Sequence, residues 1–211
     1  MKKLEGQIAF VTGASSGIGR ATAIALAGEG ARLILAARRV DRLETLAGEL
    51  RTRFGTPTYM GALDVRNAAD VEAFVASLPA EWHAIDILVN NAGLCLGLDK
   101  LHEGLLSDWD EMIDANVKGL LYVSRAVLPG MVARGRGHVI NLGSVAGREV
   151  YPGGNVYCGT KHAERAITSG MRIDLSGTGI RVATVDPGMV ETEFSLVRFH
   201  GDAERAGKVY R

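Results

Sequence analysis

A chain of 211 residues with 24 basic and 24 acidic side chains has room for one α/β domain with a sizeable core, and not for two large domains. Its zero formal charge gives no electrostatic basis for nucleic acid or an anionic membrane surface as a main partner, and neither is expected. Cys95 and Cys158 match no metal or redox spacing and make no disulfide framework, so we expect no metal site and a reducing, cytoplasmic setting.

The N-terminus has two lysines but no long apolar region or cleavage site, and no run approaches the ~18 apolar residues of a membrane span. The short apolar run QIAFV (7–11) predicts a first strand. A helix follows it, in which small and apolar residues recur at helical spacing. RLILAA (32–37) predicts a second strand, followed by a charged amphipathic helix. PTYMGALDV contains a third strand and NAADVEAFVASLP a third helix. IDILVNNAG is a fourth strand with its turn. Two helical stretches then occupy roughly 107–134, the second from about Val117. GHVINLGS is a fifth strand, 155–176 a long helix and IRVATVDPG a sixth strand. Strands with little polar alternation, separated by helices, indicate a doubly wound parallel sheet covered on both faces. The polar end from about Gly201 reads as helical, with no further strand.

The first strand runs into TGASSGIG, with Gly13, Gly17 and Gly19 at the first strand-to-helix crossing. Glycine lets the backbone turn tightly and approach a pyrophosphate, while the N-terminus of the following helix offers free N–H groups to the anion. The second strand ends in Ala36 and Ala37 and then Arg38 and Arg39, where an NAD binder commonly carries an acid. These arginines either begin a solvated helix or fork onto a 2′-phosphate; the missing acid points to NADP, with Ser15 as a further hydroxyl donor. Asn91 and Ser144 follow the fourth and fifth strands, at the sheet edge where ligands of open α/β folds bind. Tyr157 and Lys161 lie one helical turn apart, as an amphipathic surface pair or as a phenol tuned by an ammonium.

With TGxxxGIG at 12–19, NNAG at 90–93, Asn116, Ser144, YxxxK at 157–161 and DPG at 186–188 in this order, the chain resembles the short-chain dehydrogenase/reductase family. The resemblance implies a Rossmann-type sheet ordered 3-2-1-4-5-6, an NADP cofactor and a homodimer or homotetramer. It also implies a seventh strand that 1–211, read as a single domain, does not reach, so the chain is expected to be incomplete at its C-terminus. It gives the catalytic group as Asn116, Ser144, Tyr157 and Lys161. Tyr157 exchanges the substrate proton, and its high ordinary pKa is lowered by Lys161. Lys161 also holds the nicotinamide ribose, Ser144 binds the reacting oxygen, and Asn116 supports a water-linked relay. The cofactor residues it implies are Thr12, Gly13, Ser15, Ser16, Gly17, Ile18, Gly19, Arg38, Arg39, Asp64, Val65, Asn90, Asn91, Tyr157, Lys161, Pro187, Gly188, Val190 and Thr192.

Within the family, SLPAEWHAIDILVNNAGL, GREVYPGGNVYCGTK and VETEFSLVRFHGD resemble the NADP-dependent 3-hydroxy acid dehydrogenases, which oxidise serine, allo-threonine and related acids. Reduction of 3-oxoacyl thioesters or general carbonyls is the competing enzymatic reading, and a non-catalytic cofactor-binding protein the third. Arg148 and Arg198, beside Ser144 and Tyr157, are candidates for holding a substrate carboxylate, against the alternative of exposed basic loops.

Overall fold

The structure, a computed structural model, describes residues 2–209; Met1, Tyr210 and Arg211 of the expected 1–211 domain lie outside the described residues. Six strands form one parallel sheet: β1 (Ile8–Thr12), β2 (Arg32–Ala37), β3 (Thr58–Ala62), β4 (Ile85–Asn90), β5 (Gly137–Leu142) and β6 (Ile180–Val185). Their spatial order is β3-β2-β1-β4-β5-β6, as the resemblance implies. β1 is buried at all five positions, because helices cover both faces; its polar residue, Thr12, lies at the carboxyl end.

Helices α1 (Gly17–Gly28) and α2 (Val40–Phe54) cover one face, α3 (Ala68–Ala76) and α5 (Leu120–Arg134) the other. On α1 the buried positions are Gly19, Ala23 and Ala27, small residues that let the helix lie close to the sheet. Leu43, Leu46 and Leu50 of α2 recur at helical spacing and are almost fully buried, each contributing about 1.5–3 kcal/mol of apolar burial. Across the sheet, Phe10 stacks on Phe74 with ring centroids 5.6 Å apart. Strand order reverses between β1 and β4, and a crevice opens there at the carboxyl ends of the strands.

The stretch expected as two helices is one continuous helical rod with a defect. Helix α4 (Leu106–Ile113) passes into a π-helical turn, Asp114–Gly119, and on into α5 without a break near Val117. Such bulges recur at functional sites because they re-aim side chains within a helix; this one carries Asn116. Helix α6 (Asn155–Asp174) holds Tyr157 and Lys161. Short helices α7 (Phe194–Arg198) and α8 (Ala203–Lys208) follow β6, the latter capped by Asp202. Among the described residues there is no seventh strand, and no helix is long and apolar enough to cross a membrane.

Candidate active site

The crevice is a cleft of about 900 Å³, bounded by the loops after β1, β2, β3, β4, β5 and β6. Its floor is set by an interlock between two loops. Thr12 Oγ1 accepts from the backbone N–H groups of Asn91 and Ala92, both at 3.1 Å, and Asn91 Nδ2 donates to the carbonyls of Thr12 at 2.8 Å and Gly13 at 3.1 Å. A Cβ on Gly13 would lie 2.8 Å from Asn91 Nδ2 and 2.9 Å from Ala92 Cα, and one on Gly19 would collide with the Asn91 side chain. Gly17, at φ +53°, faces the opening, with Thr192 across it. Ser16 makes no side-chain cap to α1, leaving that helix's first N–H groups for an anion.

At the β2 end the structure separates the two arginines. Arg39 Nη2 donates to Ser16 Oγ at 2.8 Å and Ser15 Oγ at 3.3 Å, while Arg38 is exposed and reaches Glu111 at 3.4 Å. Glu193, from the segment after β6, accepts from Arg39 at 3.0 Å and from Arg42 at 2.6 and 2.7 Å. The Arg42 and Arg39 guanidinium groups hold the Glu193 carboxyl below the usual carboxylate range. A carboxylate therefore lies where two guanidinium groups converge. Asp64 and Val65 also line the cleft, but Asp64 is clasped by Arg66 through Nε at 2.9 Å and Nη2 at 2.5 Å.

At the β5 end, Ser144, Tyr157 and Lys161 come together on the same cleft. The Ser144 hydroxyl lies near the Tyr157 phenol and accepts from the Ala146 N–H at 3.1 Å. Lys161 Nζ donates to the Leu142 carbonyl at 2.7 Å and to Glu164 Oε2 at 2.8 Å, and sits 6.0 Å from the Tyr157 ring centroid. Any lowering of the tyrosine's pKa by Lys161 is outweighed by burial. Tyr157 is only 8 % exposed, and burial pushes the phenol above its ordinary value against the opposing pull of the nearby Ser144 hydroxyl, while the ammonium is engaged by Glu164. Glu164 is itself buried, and desolvation raises its pKa against the opposing attraction of Lys161.

Helix α7 closes this end. Arg198, 8 % exposed, places its guanidinium carbon 5.6 Å from the Tyr157 ring centroid and 5.4 Å from that of Phe194. It donates from Nη2 to the Tyr151 hydroxyl at 2.8 Å and from Nε to Cys95 Sγ at 3.1 Å. Among the described residues no carboxylate pairs with it.

Other expected residues lie off the cleft. Arg148 is exposed and pairs with Asp186 at 2.6 and 2.9 Å, so its charge is already matched outside the cavity wall. Asn90 is buried in the sheet, donating to Ser124 at 3.0 Å and Asn141 at 2.9 Å, and Thr12 and Gly19 act behind the loop. Asn116 directs its carboxamide to Leu94 N–H, the Leu94 carbonyl and Thr160 Oγ1, at 2.8, 2.8 and 3.0 Å, and so braces the loop after β4. Ile18, Asn91, Pro187, Gly188, Val190 and Thr192 do line the cleft. Arg42, Tyr151, Glu164 and Glu193 escaped the sequence reading. Arg42 is three positions past Arg39 and Glu164 three past Lys161, a spacing that placed each on a shared helix face.

The family described as short chain dehydrogenase matches residues 7–201. A protein named NADP-dependent 3-hydroxy acid dehydrogenase YdfG, from Salmonella typhi, is 52 % identical over 204 residues, 96 % of this chain and 81 % of that protein. An NADP-dependent 3-hydroxy acid dehydrogenase of Schizosaccharomyces pombe is 46 % identical over 212 residues, covering all of this chain and 82 % of that one. Among solved structures, the closed form of a serine dehydrogenase complexed with NADP+ superposes with a TM-score of 0.92 at 50 % identity, over 97 % of this chain and 82 % of that one. Sheet order, cleft and sequence agree: the chain belongs to the short-chain dehydrogenase family.

Proposed function

We propose that this protein is an NADP-dependent oxidoreductase that interconverts small 3-hydroxy acids of the serine or allo-threonine kind with their 3-oxo acids. The observation that carries the reading is Arg198: a buried guanidinium with no carboxylate partner among the described residues, inside the cleft and beside Tyr157. A buried cation is expensive unless an anion meets it, and a substrate carboxylate meets it with two parallel N–H···O bonds. The Tyr151 hydroxyl, already bonded to Arg198, helps to orient that carboxylate. The names of the relatives at about half identity support the same substrate class.

The glycine loop and the N-terminus of α1 fit a pyrophosphate, and Arg39 with Ser15 and Ser16 fits a 2′-phosphate, which takes the place of the Glu193 carboxylate. When bound, NADP supplies the hydride acceptor or donor. In reduction Tyr157 donates its phenolic proton to the 3-oxo oxygen as hydride reaches C3, and in oxidation its phenolate takes that proton back, while Ser144 hydrogen-bonds the same oxygen and Lys161 holds the ribose side of the cleft. Asn116 braces the loop after β4 that forms the opposite wall.

The free, buried Cys95 and Cys158 fit a reducing cytoplasm. Exposed Leu105, Leu106, Ile113, Leu121 and Val132 along α4 and α5 are the apolar surface through which a homodimer or homotetramer would form, and a monomer mass by light scattering would refute assembly. The decisive experiment follows absorbance of reduced cofactor with serine, allo-threonine, 3-hydroxyisobutyrate and a 3-hydroxybutyryl thioester, each with NADP and NAD. Reduction of NADP by the free acids is expected. Turnover of the thioester alone would give the 3-oxoacyl reductase reading instead.

A further inference from the structure

Glu164 has no role in the chemistry above, yet it touches the group on which that chemistry depends. It lies on α6 one turn beyond Lys161, 3 % exposed, with Oε2 accepting from Lys161 Nζ at 2.8 Å. Its other oxygen, Oε1, is buried and has no hydrogen-bond partner among the described residues. A carboxylate with one orphaned oxygen is a costly thing to bury unless its charge is used.

We propose that Glu164 is a positioning residue for hydride transfer, the counter-charge that anchors Lys161 Nζ at the end of β5 and limits the ammonium's pull on the Tyr157 proton. The proposal rests on the oxidoreductase reading. It also follows from the charges around the carboxylate. Lys161 and Tyr157 face it from its own helix. From the loop after β6 comes Asp186, itself held by Arg148 and near Arg165. From β5 it is faced through the Leu142 carbonyl, which shares Lys161 Nζ. Among the described residues the only cation bonded to Glu164 is thus Lys161, and the pair presents almost no net charge to the phenol. Removing the carboxylate leaves an uncompensated ammonium near Tyr157 and deletes a negative charge that opposes the phenolate. Both changes favour loss of the phenolic proton.

Glu164→Gln tests this, since the amide oxygen still accepts from Lys161 but carries no charge; Glu164→Leu serves as a second variant if the first folds poorly. Two readouts are needed. The first is tyrosinate absorbance against pH, each protein taken as the difference from its own Tyr157→Phe counterpart, which requires no substrate. The second is the pH profile of NADP reduction by 3-hydroxy acids. We expect both midpoints to fall by roughly one to two pH units, the size a neighbouring charge imposes. A Tyr157 titration that coincides in wild type and variant, or that is seen in neither, overturns the proposal and leaves Glu164 a structural filler. Failure of wild type to oxidise any 3-hydroxy acid overturns the substrate reading alone, and the absorbance titration still decides on Glu164.

Discussion

Arg198→Met separates anion recognition from the rest of the cleft. Methionine fills a comparable volume and makes favourable contacts with aromatic rings, and the guanidinium lies among the rings of Tyr151, Tyr157 and Phe194 at 5.4 to 5.8 Å. What the change removes is the charge and the hydrogen bonds to Tyr151 and Cys95. A hydrogen-bonded ion pair at a site 8 % exposed is barely screened by solvent. Truncating one partner of such a pair costs about 2–5 kcal/mol. At ~1.4 kcal/mol per decade, kcat/KM for serine should fall by roughly 30-fold to several thousand-fold. The assay is steady-state NADP reduction with serine and, in parallel, with a neutral alcohol of similar size. The neutral substrate should lose little, because it never met the charge. Equal losses for the two, or loss of NADPH affinity with both, would refute the assignment and make Arg198 a brace for α7.

Arg39→Ala removes the donor to Ser15 and Ser16 and half of the Glu193 clasp. A hydrogen bond to a charged group is worth about 1.5–3 kcal/mol, so NADPH affinity measured by fluorescence titration should fall about tenfold to a hundredfold, with NADH nearly unchanged. A larger effect from Arg38→Ala would show that the more exposed arginine, not Arg39, reads the 2′-phosphate. Tyr157→Phe should abolish turnover while NADPH binding persists, since the variant loses the phenol's proton but keeps the ring packed on Phe194 at 5.7 Å; loss of binding would mean that the hydroxyl itself holds the cofactor.

The parallel sheet was legible in the sequence because it rests on local signals: apolar runs of strand length, helical periodicity between them, and glycines at the first crossing; its strand order came only from the family resemblance. The glycine loop and the Tyr157–Lys161 pair were legible for the same reason, each being contained in one short segment. What the tertiary structure decided is every contact between distant segments. Arg198 meets Tyr151 across 47 positions and Cys95 across 103, and Arg39 meets Glu193 across 154. No periodicity carries such pairings, which depend on where α7 and the segment before it come to rest over the cleft. The same holds for charge balance. Spacing placed Lys161 beside Tyr157, but only packing shows that burial raises the phenol's pKa and that Glu164 has taken the lysine's charge, because desolvation depends on the whole surrounding volume rather than on the neighbours along a helix.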